Sequence, residues 1–268
     1  MKKNLLFVIV LISIVLVFTC CAKKEPANKD KISENEAIYE TTDQEEKNIN
    51  EEIETEQHEN AMVNSKWNEP GIMRDMTSQE IVLDMGLGWN LGNTLDACGD
   101  WIVGGVYDYE TAWGSPITTR PMFENLKRFG FRSVRIPVAW SNMMKENYTI
   151  SSLWMERVQE VVDYAIDSGL YVVLNIHWDY GWIANFSTEY DETMRRYTRI
   201  WEQICDRFKN YPDYLIFESM NEEGHFDDIW NQYSNYKEED KIRAYDLLNS
   251  INQQFVNIVR GSGGNNEQ

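Results

Sequence analysis

Histidine occurs three times and cysteine four times in 268 residues. Cys20 and Cys21 are adjacent near the N-terminus, which leaves Cys98 and Cys205 for the rest of the chain. Two cysteines make no disulfide framework, and neither has His or Cys neighbours at ligand spacing. Free thiols are the expectation, with a single Cys98–Cys205 bridge left open. Basic residues are also scarce: 25 Lys and Arg stand against 44 Asp and Glu, a net charge of −19. That argues against nucleic acid or an anionic surface as partner and suits a neutral or cationic ligand. A phosphate-cradling glycine loop is lacking too, because Gly86 to Gly92 does not have the fingerprint spacing. No metal and no cofactor are expected. What the chain does have is apolar and aromatic content, 43% and 13%, enough for a substantial core.

The first residues read as an export signal. Lys2 and Lys3 form a basic start, residues 5–18 an apolar stretch, and Cys20 and Cys21 follow at once. A stretch of that length is short for a spanning helix, which needs roughly 20 residues. A cysteine straight after it resembles a bacterial lipoprotein signal, acylated at Cys20 or Cys21. Residues 1–21 are therefore taken as signal and the protein as an exported, cell-surface lipoprotein, touching the membrane only through that anchor, with a plain signal peptide or an uncleaved anchor as the alternative. Residues 22–71 read as an acidic linker. Between 30 and 59 there are twelve Asp or Glu, two Lys, and no Trp, Phe, Leu or Val. Such a segment buries too little apolar surface to offset its ordering entropy.

From about Met73 the pattern changes. Thr77-Ser-Gln-Glu80 is a capping-box sequence before a short apolar helix face. Helical spacing then appears over 120–129, 153–168, 191–208 and 240–259, with Gly169 as a stop. Between these lie apolar runs of strand type at 133–138, 170–177 and 214–219, and an earlier strand leads into the loop at 85–97. Apolar strands alternating with amphipathic helices predict a parallel sheet with helices outside, an α/β fold. Polar groups recur at the strand ends: Asn90 and Asn93, then Arg135 with Trp140 just beyond, then His177, Trp178 and Asp179, then Asn221, Glu222 and Glu223. Convergence at one end of successive strands is the layout of a barrel active site, not of a doubly wound sheet with one switch point.

Four motifs carry a resemblance. Gly88-Trp-Asn-Leu-Gly-Asn-Thr-Leu-Asp96, Val134-Arg-Ile-Pro-Val138, Leu174-Asn-Ile-His177 and Leu215-Ile-Phe-Glu-Ser-Met-Asn-Glu222 occur in the order and spacing seen in glycoside hydrolase family 5, the cellulase-type enzymes. The resemblance implies a (β/α)8 TIM barrel of which about the first four βα units are present in 72–268, acting on a β-1,4-glycan such as cellulose with retention. It implies Glu222 as proton donor and general acid/base. Asn221 would contact the sugar 2-hydroxyl, His177 would be a site histidine, and Arg135 would organise the carboxylates. A retaining pair needs a second carboxylate about 5–5.5 Å from the first. The family's nucleophile belongs to the seventh strand, so this chain is expected to lack it and to be inactive alone. An open sheet edge and exposed apolar helix faces are expected as well.

Other readings limit these assignments. Glu218 lies inside an apolar run and is expected to be a structural partner of Arg135, since a lone buried charge is costly. Glu223 is expected at the rim. Trp178 is the leading sugar platform, with Trp140, Trp113 and Trp182 as further flat faces and Asn90 as a site amide. Trp201 and Trp230 are expected to pack. A metal-dependent hydrolase built on His177, Asp179, Glu222 and His225 fits poorly, lacking a His-x-His on the first strand. A non-catalytic surface carbohydrate binder remains an alternative. A monomer is expected, with a β-glucan as its partner.

Overall fold

Three short apolar runs, at 133–138, 170–177 and 214–219, call for cover on both faces, and each is followed by helix. In a computed structural model, residues 66–222, 226, 229 and 237–267 are described. The export signal, Cys20 and Cys21, most of the acidic linker, Glu223, His225 and Trp230 lie outside those residues.

The strands are β1 (Gly88–Asn90), β2 (Ser133–Ile136), β3 (Tyr171–Asn175) and β4 (Leu215–Glu218). They form one sheet in the order β1-β2-β3-β4, every pair parallel. Helix α1 (Ser78–Met85) precedes β1, and α2 (Val106–Thr111) and α3 (Arg120–Arg128) join β1 to β2. Helix α4 (Ser152–Asp167) leads to β3, α5 (Tyr190–Phe208) to β4, and α6 (Glu238–Gly261) follows β4. Consecutive strands pair in sequence order without a reversal, which is an arc of a (β/α)8 barrel.

Local chemistry explains the boundaries. Thr77 and Glu80 close the capping box, each side chain bonding the other's backbone N–H. Gly169, at φ +74°, ends α4 in the left-handed region while Leu170 N–H returns to the Ala165 carbonyl at 3.1 Å. Alternation along the strands sends Val134, Ile136, Val172 and Leu174 to the helix layer, where all four are fully buried. They meet Trp154, Val158, Val161 and Val162 of α4 and Ile200, Trp201 and Ile204 of α5. Trp201 packs edge-on against Phe217 and Phe255, with centroids 5.6 and 4.7 Å away, which seats α6. Cys98 and Cys205 are buried free thiols.

Two edges stay unpaired among the described residues. All three residues of β1 are exposed, and β4 is half-buried throughout. Nearby apolar surface is open at Val82 and Leu83 of α1, Phe129, and Ile242 and Val256 of α6.

The folded part begins earlier than Met73. Residues 66–71, assigned to the linker on composition, are tied down by Trp67. Its N–H donates to Asp163 at 2.9 Å and its ring lies 5.1 Å from Tyr211, while Lys66 pairs with Asp167. Helix α2 had no signal in the sequence pattern. It is fixed by one buried ion pair: Glu110 accepts from Arg157 Nε and Nη2 at 2.9 Å each and from Thr118 N–H at 2.6 Å.

Candidate active site

Parallel register decides which polar side chains share a face. Asn90 pairs with Arg135, and Asn175 with Glu218, so all four project from the face opposite the helices. All sit at the C-terminal ends of their strands.

Arg135 is the hub. Its Nε donates to Glu218 Oε2 at 2.7 Å and its Nη2 to Glu218 Oε1 at 2.6 Å, a bidentate fork. The same Nη2 donates to Asn221 Oδ1 at 2.8 Å, and Nη1 to Asn90 Oδ1 at 3.2 Å. One guanidinium thus ties β1, β2 and β4 together. Its hydrogen bonds with Glu218 push the Arg135 pKa up. For Glu218, burial acts to raise the pKa, but the Arg135 fork and the Asn175 amide hold it below the usual carboxylate range. Glu218 is an ionised acceptor already in use.

Asn175 was not picked out from sequence. It is fully buried, donating to Glu218 Oε1 at 3.2 Å, and lies 3.4 Å from His177 Nδ1. Its Oδ1 is buried without a hydrogen-bond partner. Burial lowers the His177 pKa, so the ring is neutral at pH 7. With Nδ1 accepting from Asn175, the ring proton belongs on Nε2, which faces Asp96 Oδ2 at 3.9 Å. Asp96, also missed, is buried and accepts from Thr94 N–H at 2.8 Å. Both residues lay inside the quoted motifs. Their signal was a polar side chain kept within an apolar stretch, Asn175 two residues before His177 and Asp96 three residues after Asn93.

Glu222 stands one residue past Asn221, beyond the last rung of the sheet, and is exposed. Its charge is felt by both Arg135 and His177. Beside the buried Asp96, the site therefore holds one carboxylate bound in a fork, Glu218, and one exposed to solvent, Glu222.

The tryptophans divide. Trp178 is 55% exposed and follows His177 directly. Trp140, expected at the site, is fully buried, and its N–H donates to the Asn175 carbonyl at 2.8 Å. It presents no face to a ligand and instead fixes the backbone beneath Asn175. Trp182 is likewise buried, its N–H donating to Asp179 at 2.6 Å. Trp113 is partly exposed, at 40%.

Asp179 is completely buried, and its oxygens accept from Ser141 N–H at 2.7 Å, Ser141 Oγ at 2.8 Å and Trp182 Nε1. A carboxylate so occupied is unavailable as a metal ligand, which removes Asp179 from the metal-hydrolase alternative. It organises the loop that carries Trp178, with Asp179 and Tyr180 held at φ +45° and +65°.

Comparison with known proteins gives one family. The model of the family described as cellulase (glycosyl hydrolase family 5) matches residues 95–267. Endoglucanase B of Clostridium cellulovorans is 40% identical over 198 residues, covering 72% of this chain and 41% of that protein. A GH5-4 broad specificity endoglucanase from Ruminococcus champanellensis, solved with bound cellotriose, is 40% identical with a TM-score of 0.65. The match covers 74% of this chain and 57% of that one. PbGH5A from Prevotella bryantii B14, solved with a xyloglucan tetradecasaccharide, is 37% identical with a TM-score of 0.66, covering 73% and 56%. The chain spans roughly half or less of the length of these relatives.

Proposed function

The chain belongs to glycosyl hydrolase family 5, the cellulases, and on that premise we propose that its site serves hydrolysis of β-1,4-linked glucans with retention, Glu222 acting as general acid/base. The observation that carries this reading is the division between Glu218 at the end of β4 and Glu222 four residues beyond it. Glu218 is locked in the Arg135 fork, whereas Glu222 is exposed beside Asn221. A general acid must reach the glycosidic oxygen, which an exposed residue past the strand end can do. Asn221, held by Arg135, offers its amide N–H to a sugar hydroxyl without adding charge. Trp178 offers a flat apolar face to a pyranose ring. Relatives solved with cellotriose and with xyloglucan support a glucan as ligand.

The second carboxylate of a retaining pair is a separate matter. Around the site the described carboxylates are Asp96, Glu218 and Glu222. Asp96 is buried in its loop and Glu218 is spent on Arg135. We propose that the nucleophile comes from outside the described residues, and that the 268-residue chain by itself binds glucan without turning it over. Calorimetric titration with cello-oligosaccharides and reducing-sugar release from cellulose, lichenan, xyloglucan and mannan test this together. Binding without release is the expected result. Release by the 268-residue chain alone overturns the missing nucleophile; absence of binding overturns the glucan reading.

Export as a monomeric lipoprotein anchored at Cys20 or Cys21 is proposed from the basic and apolar start of the chain. Incorporation of a fatty-acid probe into the expressed protein is expected, and its absence at both cysteines refutes the anchor.

A further inference from the structure

One line of hydrogen bonds crosses the sheet in a fixed direction. It starts at Arg135, whose guanidinium can only donate, and passes to Glu218, an ionised carboxylate that can only accept. Glu218 Oε1 lies 3.2 Å from Asn175 Nδ2. An amide can turn either end to a neighbour, but beside this acceptor only its NH2 fits. The orientation is kept at a cost. Asn175 is fully buried, and its Oδ1 has no hydrogen-bond partner among the described residues. The backbone below is fixed as well: Asn175 is level with Glu218 across the sheet, and Trp140 Nε1 donates to its carbonyl at 2.8 Å.

The same NH2 group has a second N–H. Nδ2 is 3.4 Å from His177 Nδ1, which must then be the acceptor. Asp96 asks for the same tautomer from the other side of the ring. Its buried carboxylate stands 3.9 Å from Nε2 and favours a proton there. The His177 N–H donates to the Val138 carbonyl at 2.9 Å, which fixes where the ring starts. A proton on Nδ1 would set two donors against each other. Turning the Asn175 amide to relieve that would set its oxygen against Glu218.

We propose that Asn175 is a positioning residue of the site: it passes the acceptor character of Glu218 on to His177 and holds the ring as the Nε2–H tautomer. Two consequences follow for the chemistry. The ring offers the site an N–H donor without a charge. Its basic nitrogen, Nδ1, is covered by Asn175 and does not compete with a glycosidic oxygen for the Glu222 proton. This role rests on the glucan reading of the site, whereas the tautomer does not.

Long-range 1H–15N correlation of the imidazole nitrogens in the 268-residue chain at pH 7 tests it. The histidines are His58, His177 and His225, so His177→Gln identifies the signals in question. In the unmodified chain Nδ1 is expected to be unprotonated and Nε2 protonated. Asn175→Asp sets an acceptor against Nδ1 and should bring a proton onto it. Asn175→Leu has the same branching without polar atoms. It should move the Nδ1 signal to that of a nitrogen free of hydrogen bonds and weaken cellotriose about fivefold by calorimetry. A proton on Nδ1 in the unmodified chain overturns the proposal, whatever the variants do. So does an unprotonated Nδ1 in folded Asn175→Asp, or an Nδ1 signal or cellotriose affinity that Asn175→Leu leaves unaltered. Failure of the unmodified chain to bind cellotriose removes the glucan reading and the role in it, while the ring signals still decide the tautomer.

Discussion

Glu218→Gln separates a framework carboxylate from a reacting one. The substitution keeps shape and removes charge. Three donors converge on the native carboxylate: Arg135 Nε at 2.7 Å, Arg135 Nη2 at 2.6 Å and Asn175 Nδ2 at 3.2 Å. A glutamine amide can accept on one side only, and its NH2 would face a donor. Breaking a fully buried pair from one side costs about 3–5 kcal/mol. Here the side chains are 28% and 30% exposed, so water recovers part of the loss, and about 2 kcal/mol is expected. With a urea slope of roughly 2.5 kcal/mol/M for a domain of this size, the unfolding midpoint should fall by about 0.8 M at pH 7. The pH dependence has a definite sign. The folded Glu218 pKa lies below its ordinary value, so its contribution is full above the unfolded value, near pH 4.3, and is lost as pH falls through the folded one. The gap between unmodified chain and variant should therefore close below about pH 4. Coincident midpoints at pH 7, or a gap undiminished at pH 3, would refute the fork as a stabilising element.

Glu110→Ala should cost more, about 3–5 kcal/mol, because it leaves the Arg157 guanidinium, 5% exposed, without its main partner. A urea titration checks it, and Glu110→Leu with Arg157→Met should restore much of the loss. In a protein carrying the remaining barrel strands, Glu222→Gln should cut activity on unactivated glucans by about 10²-fold or more. Aryl glycosides with good leaving groups should suffer far less. Equal, mild losses on both would remove Glu222 from the acid role. Arg135→Lys keeps the charge but gives up the fork to Glu218 and the bond to Asn221, so it should weaken cellotriose binding several-fold; calorimetry showing unaltered affinity would argue that Asn221 needs no such support.

Apart from α2, the helices and strands were legible because their signals are local. Apolar runs, the Thr77 capping box and Gly169 placed elements to within a few residues. The Arg135–Glu218 pair was legible because an arginine and a glutamate inside apolar strands must find charge partners. What stayed hidden depended on direction and on distant contact. Trp140 and Trp178 each lie just beyond a strand, where the two-residue alternation no longer dictates facing. One turns into the core to bond the Asn175 carbonyl and the other turns out. The packing of residues 66–71 rests on Trp67 meeting Asp163 and Tyr211, contacts across more than ninety positions that composition cannot register. Asp179 entered the sequence reading as a polar group beyond the third strand and as one member of a metal-ligand set that fitted poorly. Only the arrival of Ser141 and Trp182 shows that its lone pairs are occupied.

Sheet geometry accounts for the division of labour between the two glutamates. Glu218 is the last residue of β4 and is level with Asn175 on β3, so its side chain cannot avoid the neighbouring strand and the arginine beyond it. A carboxylate there is reachable by Arg135 at hydrogen-bond distance, and its low pKa makes it a poor proton donor at neutral pH. Four residues later the ladder has ended. Glu222 lies beyond the ladder and is exposed, close enough to Arg135 and His177 to act on both electrostatically. Position on the strand thus separates a carboxylate that holds the frame from one that can meet a substrate. In the retaining mechanism proposed above, the nucleophile would have to approach Glu222 to about 5–5.5 Å from the far side of a bound sugar. None of the residues on β1 to β3 offers an uncommitted carboxylate at that level, because Asn90, Arg135 and Asn175 occupy those places.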